Sequence, residues 1–239
     1  MAHSEPAYKK VLLKLSGESL LGKLQFGIDL QTAHSIAKEI RQIYEMDVHI
    51  AIMIGGGNIF RGVFGTQSGM ERVTADYMGL LATMINGIAL QYAIENEGLE
   101  AHHVSAVEIS TITEPFVRRK VLEYIEEKKV VVFSAGIGSP YFTTDTAAAL
   151  RALEIGADVI LKATKVDGVY SSDPMKDKSA KKFDTIKYMD VIKKGLKVMD
   201  LTAISLCRDN NVPIIVFNLN KKGNMKDAVL GKKVGTMVN

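Results

Sequence analysis

Five short apolar runs, rich in valine and isoleucine, most constrain what this chain can fold into: "YKKVLLKL" (8–15), "VHIAIMI" (48–54), "VVVFSA" (130–135), "DVILKA" (158–163) and "PIIVFNL" (213–219). None alternates apolar with polar residues as a half-wet strand does, so each is read as a strand covered on both faces. Helical spacing fills the intervals. Asp29 can cap a helix whose stripe runs Leu30, Ala33, Ile36, Ala37, Ile40, Ile43 and Tyr44. A long helix follows the second run, with Leu80, Leu81, Met84, Ile85, Ile88 and Tyr92 on one side and Gly98 placed to end it. A short strand near 101–105 leads to a helix predicted to start at Pro115, and "TTDTAAALRALEIG" reads as another. The last third gives a hairpin at "VDGVY", a helix around 200–210, a strand, and a short final helix and strand. Strands alternating with helices predict an α/β fold with a mainly parallel central sheet covered on both faces.

In such sheets ligands sit beyond the carboxyl ends of the strands. Four of the runs end there in polar, glycine-rich clusters: "KLSGE", "GGGNIFRG", "SAGIGSPYFTTD" and "KATKVDGVYSSDP". One such cluster is a turn, whereas four at one sheet edge predict a site. The chain strips three successive side chains at Gly55, Gly56 and Gly57 and then sets Arg61 beside the gap. Glycine admits close backbone approach and arginine offers a planar fork suited to phosphate, although a strand followed by a flexible turn reads equally well from that stretch alone.

Bulk numbers exclude rather than assign. With 47% hydrophobic and 24% charged residues among 239, disorder is excluded, and 30 basic against 27 acidic residues is too small an excess to argue for nucleic acid or a membrane. The N-terminus has no apolar leader, and no stretch approaches 18 uncharged apolar residues, so a cytoplasmic protein is expected. Cys207, the one cysteine, is read as a small core residue. His102 and His103 are adjacent on one strand, so their side chains should point to opposite faces, which disfavours a metal pair.

Two motifs fail on mechanics. "GESLLGK" (17–23) fits G-x-x-x-x-G-K, but Leu24 stands where the magnesium-binding hydroxyl belongs and the next helix waits for Asp29. "GGGNIF" and "GIGSPY" carry Phe60 and Tyr141 where a dinucleotide fingerprint needs a small third residue. What the clusters do supply are cations, bare backbone donors and carboxylates, the parts that phosphoryl transfer requires. Lys14, Arg61, Asp145 and Asp200 are the candidate catalytic residues, although Asp145 and Asp200 also suit helix capping.

Together "KLSGE", "IGGGNIFRG", "ADYMGLLATMING", "SAGIGSPYFTTDTAA", "KATKVDGVYSSDP" and "KVMDLTA" resemble, in order over residues 8–238, the amino-acid kinase superfamily and within it the bacterial UMP kinases. The resemblance implies one three-layer αβα domain over 1–239, its N-terminal part mainly on the UMP side and its C-terminal part mainly on the ATP side. It implies transfer of the γ-phosphate of ATP to UMP in pyrimidine nucleotide biosynthesis, with Mg2+ carried mainly by the ATP phosphates. It places Lys14, Leu15, Ser16, Gly17, Gly57, Arg61, Thr164, Tyr170 and Asp173 on ATP. It places Gly56, Asp76 and the loop Ile137, Gly138, Ser139, Pro140, Tyr141, Phe142, Thr143 and Thr144 on UMP, with Asp145 and Asp200 organising lysine and metal. Gly22, Lys23, Leu24, Gln25, Phe26 and Gly27 match a GTP effector segment; GTP activation, UTP inhibition and a homohexamer are family expectations. Tyr170 stands where the family often has phenylalanine, which keeps the aromatic face. The alternatives are a catalytically silent nucleotide sensor, or a superfamily kinase acting on a carboxylate or carbamate.

Overall fold

The computed structural model describes residues 5–239 except Asp173, Met175 and Lys178, and leaves the side chains of Val63 and Phe64 aside. Its strands are β1 (Lys10–Leu15), β2 (His49–Ile54), β3 (Ala101–Ser105), β4 (Glu114–Pro115), β5 (Val130–Ser134), β6 (Val159–Thr164), β7 (Thr185–Ile186), β8 (Ile214–Asn218) and β9 (Gly235–Val238). They form one sheet in the order β4-β3-β5-β2-β1-β6-β8-β9-β7. Pairing is parallel except between β8 and β9. From β1 the chain builds outward through β2 on one side and later through β6 on the other. That makes the end of β1 a topological switch point, where the splayed connections leave a crevice.

The helices are α1 (Leu30–Tyr44), α2 (Gly62–Gln67), α3 (Arg72–Asn96), α4 (Arg118–Glu126), α5 (Thr144–Ile155), α6 (Tyr188–Lys193), α7 (Leu201–Asp209) and α8 (Asn224–Val229). One core joins Val11, Leu13, Ile52 and Leu161 of the sheet to Ile40 of α1, Leu90 of α3 and Met225 of α8. The other joins Leu12, Met53, Phe133 and Ile160 to Val121 of α4, Ala148 of α5, Val191 of α6 and Ile204 of α7. Alternate residues of β1 thus feed opposite cores, as the period of a doubly covered strand requires. Asp29 caps α1 through hydrogen bonds accepted from Gln31 N (2.9 Å) and Thr32 N (3.4 Å), and Ile36, Ile40 and Ile43 are buried as the stripe predicts. Each such isoleucine contributes about 1.5–3 kcal/mol. Cys207 is fully buried in α7, and burial pushes its thiol pKa up to about 12.

Three expectations are corrected. Pro115 does not open a helix: it pairs in β4 at the sheet's edge, a position that tolerates its missing N–H, and α4 begins at Arg118. The apolar residues of α3 do not form one stripe, because Leu80 and Met84 are buried whereas Leu81, Ile85, Ile88 and Tyr92 are exposed. The same helix carries no charge from residue 77 to 94 and is long and apolar enough to cross a membrane by length and composition, although it packs here against α1, β3 and β5.

Candidate active site

Lys14 and Lys162 occupy matching positions on the adjacent parallel strands β1 and β6, so both side chains project from the same face of the sheet. That face is covered by α5, whose first turn brings Asp145 between them. Lys14 Nζ lies 2.7 Å from Asp145 Oδ1, and Lys162 Nζ donates to Asp145 Oδ2 at 2.8 Å. Lys162 also donates to the carbonyl of Val198. Burial would raise the Asp145 pKa, but the charges of Lys14 and Lys162 outweigh it and hold the carboxyl below its usual range. Burial pulls Lys162 below its usual value, with Asp145 opposing and Lys14 assisting. Two ammonium groups fixed by one carboxylate leave a net positive charge at the switch point, a preformed seat for an anion.

Asp200 does not touch either lysine. As the cap of α7 it accepts from Ala203 N (2.8 Å), and it also accepts from Thr146 Oγ1 (2.8 Å), Thr146 N (3.2 Å) and the Thr143 hydroxyl. Thr143 in turn caps α5, accepting from Asp145 N at 3.0 Å. One carboxylate therefore locks two helix starts together and aims Asp145 from behind.

The glycines do different jobs. A side chain at Gly56 would meet Ala82, Gly79 and Thr83 of α3 at 2.9 Å, and one at Gly17 would meet Asn58 Oδ1 at 2.2 Å. These two positions serve close packing of backbone on backbone rather than an open floor. At Gly57 the nearest atom to an added Cβ is Arg61 Nε at 3.6 Å, so this is the position that borders the gap. Beneath it, Asn58 and Asn86 exchange amide hydrogen bonds of 2.9 and 2.6 Å, and Asn86 also donates to Gly55 O at 2.7 Å. Arg61 donates to Gly57 O at 3.2 Å and pairs with Glu18, the second residue of the 3-10 turn Gly17–Leu20 after β1.

On the opposite side of the gap, Ala135, Gly136, Gly138 and Tyr141 all have positive φ, at 56, 55, 83 and 71°. The strain of a non-glycine residue there, about 1–3 kcal/mol, must be held by its surroundings. Helix α3 does so twice: Thr83 Oγ1 accepts from Ala135 N at 2.6 Å, and Asp76 Oδ2 accepts from Tyr141 N at 2.8 Å. Asp76 Oδ2 also accepts from Arg72 Nε at 2.7 Å. The segment Ile137, Gly138, Ser139, Pro140, Tyr141, Phe142 and Thr143 thus forms a shaped loop, with Thr144 as the first residue of α5.

Beyond Lys162 on the β6 side, a cavity of about 610 Å³ is lined by Thr164, Val166, Tyr170, Leu196 and Val198. A neighbouring hollow of about 460 Å³ reaches Asp145, Lys162 and Asp200. Leu15 is buried in the core, and Ser16 Oγ lies 3.2 Å from Ser19 Oγ. The hairpin expected at "VDGVY" does not form as a strand pair among the described residues: Tyr170 makes an isolated antiparallel bridge to Lys182, and Asp173 lies outside the described residues. Gly22 to Gly27 form a loop pinned to the gap at one end, where Gly27 N donates to Asn58 O (3.1 Å) and Asn58 Nδ2 donates to Gly27 O (2.8 Å), while Leu24 and Phe26 are exposed. His102 and His103 do diverge: His102 Nδ1 is 2.7 Å from Glu114 Oε1, and buried His103 Nε2 is 2.7 Å from Ser134 Oγ. Among the described residues no group of three or more His, Cys, Asp or Glu is placed to hold a metal ion.

Of the residues singled out in the sequence, the structure puts Lys14 and Asp145 in direct contact and sets Arg61 against Gly57 O on the loop after β2. Sequence reasoning missed Lys162, Glu18 and the Gly195–Val198 wall. A signal existed for Lys162, since "VLLKL" and "VILKA" both bury a lysine near a strand end.

Comparison with known proteins adds to this geometry. Residues 9–218 match the amino acid kinase family. The fold is similar to UMP kinase from Bacillus anthracis, with a TM-score of 0.94 and 38% identity over 97% of this chain and 96% of that one. It is similar to UMP kinase from Ureaplasma parvum, with a TM-score of 0.92 and 35% identity over 97% and 98% of the two chains. Uridylate kinase from Archaeoglobus fulgidus aligns with a TM-score of 0.73 and 29% identity over 96% and 99%. With the family model matched over residues 9–218 and the fold shared with these kinases, the chain belongs to the amino acid kinase family.

Proposed function

We propose that this chain transfers the γ-phosphate of ATP to UMP, giving UDP and ADP. The observation that carries the reading is the Lys14–Asp145–Lys162 cluster, seated between a nucleotide-sized cavity on the β6 side and the strained loop 135–144 on the other. ATP takes the cavity, with Thr164 and Tyr170 on the adenosine and its phosphates pointing toward Gly17, Gly57 and Arg61. UMP takes the loop side, with Asp76 on the ribose, Gly56 beneath the phosphate and Thr144 on the uracil edge. The N-terminal part of the domain thereby serves mainly UMP and the C-terminal part mainly ATP.

The chemistry needs little from the protein. A phosphate oxygen of UMP attacks the γ-phosphorus, the new P–O bond forms as the bond to the β–γ bridging oxygen breaks, and ADP leaves with that electron pair. A phosphate monoester is largely dianionic at neutral pH, so no general base is required. Lys14, Lys162 and Arg61 offset the repulsion between two anions and the charge spread over the transferring oxygens. Asp145 keeps both lysines in place, and Asp200 keeps Asp145 in place.

Magnesium fits as an ion brought by the nucleotide. Asp145 is committed to two lysines and Asp200 to helix starts, so the donor set suits an ion held chiefly by phosphate oxygens and water. When bound, Mg2+ would neutralise phosphate charge. The exposed apolar face of α3, with Leu81, Ile85 and Tyr92, supports assembly with copies of the chain, in the hexamer expected of the family. The pairing of Leu81→Glu with Ile85→Glu should reduce the assembly in sedimentation, and an unchanged size would place the interface elsewhere. A cytoplasmic role in pyrimidine nucleotide synthesis, with GTP and UTP as effectors, completes the reading.

A coupled assay offering UMP, CMP and N-acetylglutamate with ATP tests the assignment. Turnover on UMP is expected. Turnover on the amino-acid derivative alone would reject it, and binding of UMP and ATP without UDP would favour a sensor.

A further inference from the structure

Glu18 is placed where an anionic substrate must compete with it. It follows β1, and its carboxylate reaches across the mouth of the gap to two cations on different loops. Oε1 pairs with Arg61 Nη2, from the loop after β2, and Oε2 lies 3.5 Å from Lys165 Nζ, from the loop after β6. Those loops flank the switch point from opposite sides, so the contact spans it. The three side chains are 33, 46 and 60% exposed for Glu18, Arg61 and Lys165, so water shares the pairing. An ion pair this wet is weak and can be exchanged for a stronger one.

The surrounding charge supplies a reason for it. Lys14, Lys162, Arg61 and Lys165 converge on one edge of the sheet, against Asp145 between the first two and Asp200 in the hollow behind, so cations outnumber these carboxylates two to one. An unliganded cleft with that excess holds its loops under mutual repulsion. A carboxylate supplied by the chain relieves part of this and leaves when a more highly charged group arrives. We propose that Glu18 is a built-in counter-anion that occupies Arg61 and Lys165 in the empty protein and is displaced by the polyphosphate of the donor substrate. The exchange favours a group of several negative charges over a single carboxylate, so Glu18 helps the site discriminate polyphosphates from singly charged anions. This rests on the donor-site reading above and deepens it.

The test is calorimetric titration with inorganic tripolyphosphate, which needs neither UMP nor turnover. Glu18→Gln keeps the shape and removes the charge. It should bind tripolyphosphate about two- to fivefold more tightly than the unaltered chain, the range of a solvent-exposed ion pair. In an Arg61→Ala background the same change should give a smaller gain, because the released cation is gone. Unchanged or weaker binding by Glu18→Gln would overturn the proposal, since a merely structural residue gives no tightening. An equal gain in both backgrounds would also overturn it, because Glu18 would then act only as distant charge. Absence of tripolyphosphate binding in every form would remove the donor site and the counter-anion together. Tightening as expected, with no turnover of UMP, would fault the acceptor assignment and leave this proposal standing.

Discussion

Replacing Asp145 with asparagine isolates what the carboxylate does for the two lysines. The two Nζ atoms lie on opposite oxygens of one carboxylate, at 2.7 and 2.8 Å. That sets them roughly 6 Å apart, and at an effective dielectric near 20 their bare repulsion is about 3 kcal/mol. The native charge offsets this, whereas an amide of the same shape does not. Part of the repulsion is relieved by one lysine giving up its proton or swinging away, and either event removes a cation from the transferring phosphate. A loss of about 3 kcal/mol from transition-state stabilisation corresponds to about 10²-fold in kcat. The pH profile separates the two causes. Burial already places Lys162 below its ordinary value, and removing Asp145 takes away the opposing charge, so the alkaline limb of kcat should move to lower pH. Steady-state kinetics from pH 6 to 10, with far-ultraviolet dichroism confirming the fold, give both readings. Retention of kcat within threefold, with an unmoved alkaline limb, would refute the argument that Asp145 holds two charged lysines.

Asp76→Asn should chiefly raise KM for UMP with a smaller change in kcat, read from initial rates at saturating ATP; weakened ATP with untouched UMP would mean the half-sites are exchanged. Asn86→Ala removes the donor to Gly55 O and to Asn58 Oδ1, while Asn58 Nδ2 keeps Gly27 O, and a cost of about 1–3 kcal/mol is expected in denaturant unfolding. His103 is buried and its pKa is lowered to about 4 from 6.5, so the unfolded chain binds more protons between those values and stability falls as pH falls. This residue's contribution changes by about 1.2 kcal/mol between pH 6 and 5, and His103→Gln should remove that change, as urea unfolding at the two pH values would show.

The sequence was most informative where one residue type admits one physical reading. Uninterrupted Val/Ile runs had nowhere to go but a doubly covered sheet, and the Asp29 cap sits where its helix starts. Pro115 was ambiguous because the same missing N–H suits a helix's first turn and an edge strand, and only the position of β3 decides between them. The exposed half of α3 was illegible for a similar reason: an apolar residue at helical spacing reads as core whether the surface it meets belongs to this chain or to another. For the site, Lys14, Arg61 and Asp145 stood out because glycine- or proline-bearing segments adjoin them, whereas Lys162 is followed by no glycine before Gly168 and takes its meaning from register with Lys14. Asp200 was foreseen as an organiser; its partners proved to be the threonines at the start of α5 rather than a lysine.

The most direct test of the whole account is a crystal structure with UMP and a non-hydrolysable ATP analogue bound together. The account requires the terminal phosphate of the analogue and the UMP phosphate to face each other beside Gly57, with Lys14, Lys162 and Arg61 in contact with their oxygens and Asp145 still between the lysines. Nucleotides lying elsewhere, or phosphates that approach the gap without touching Lys14 or Lys162, would contradict it.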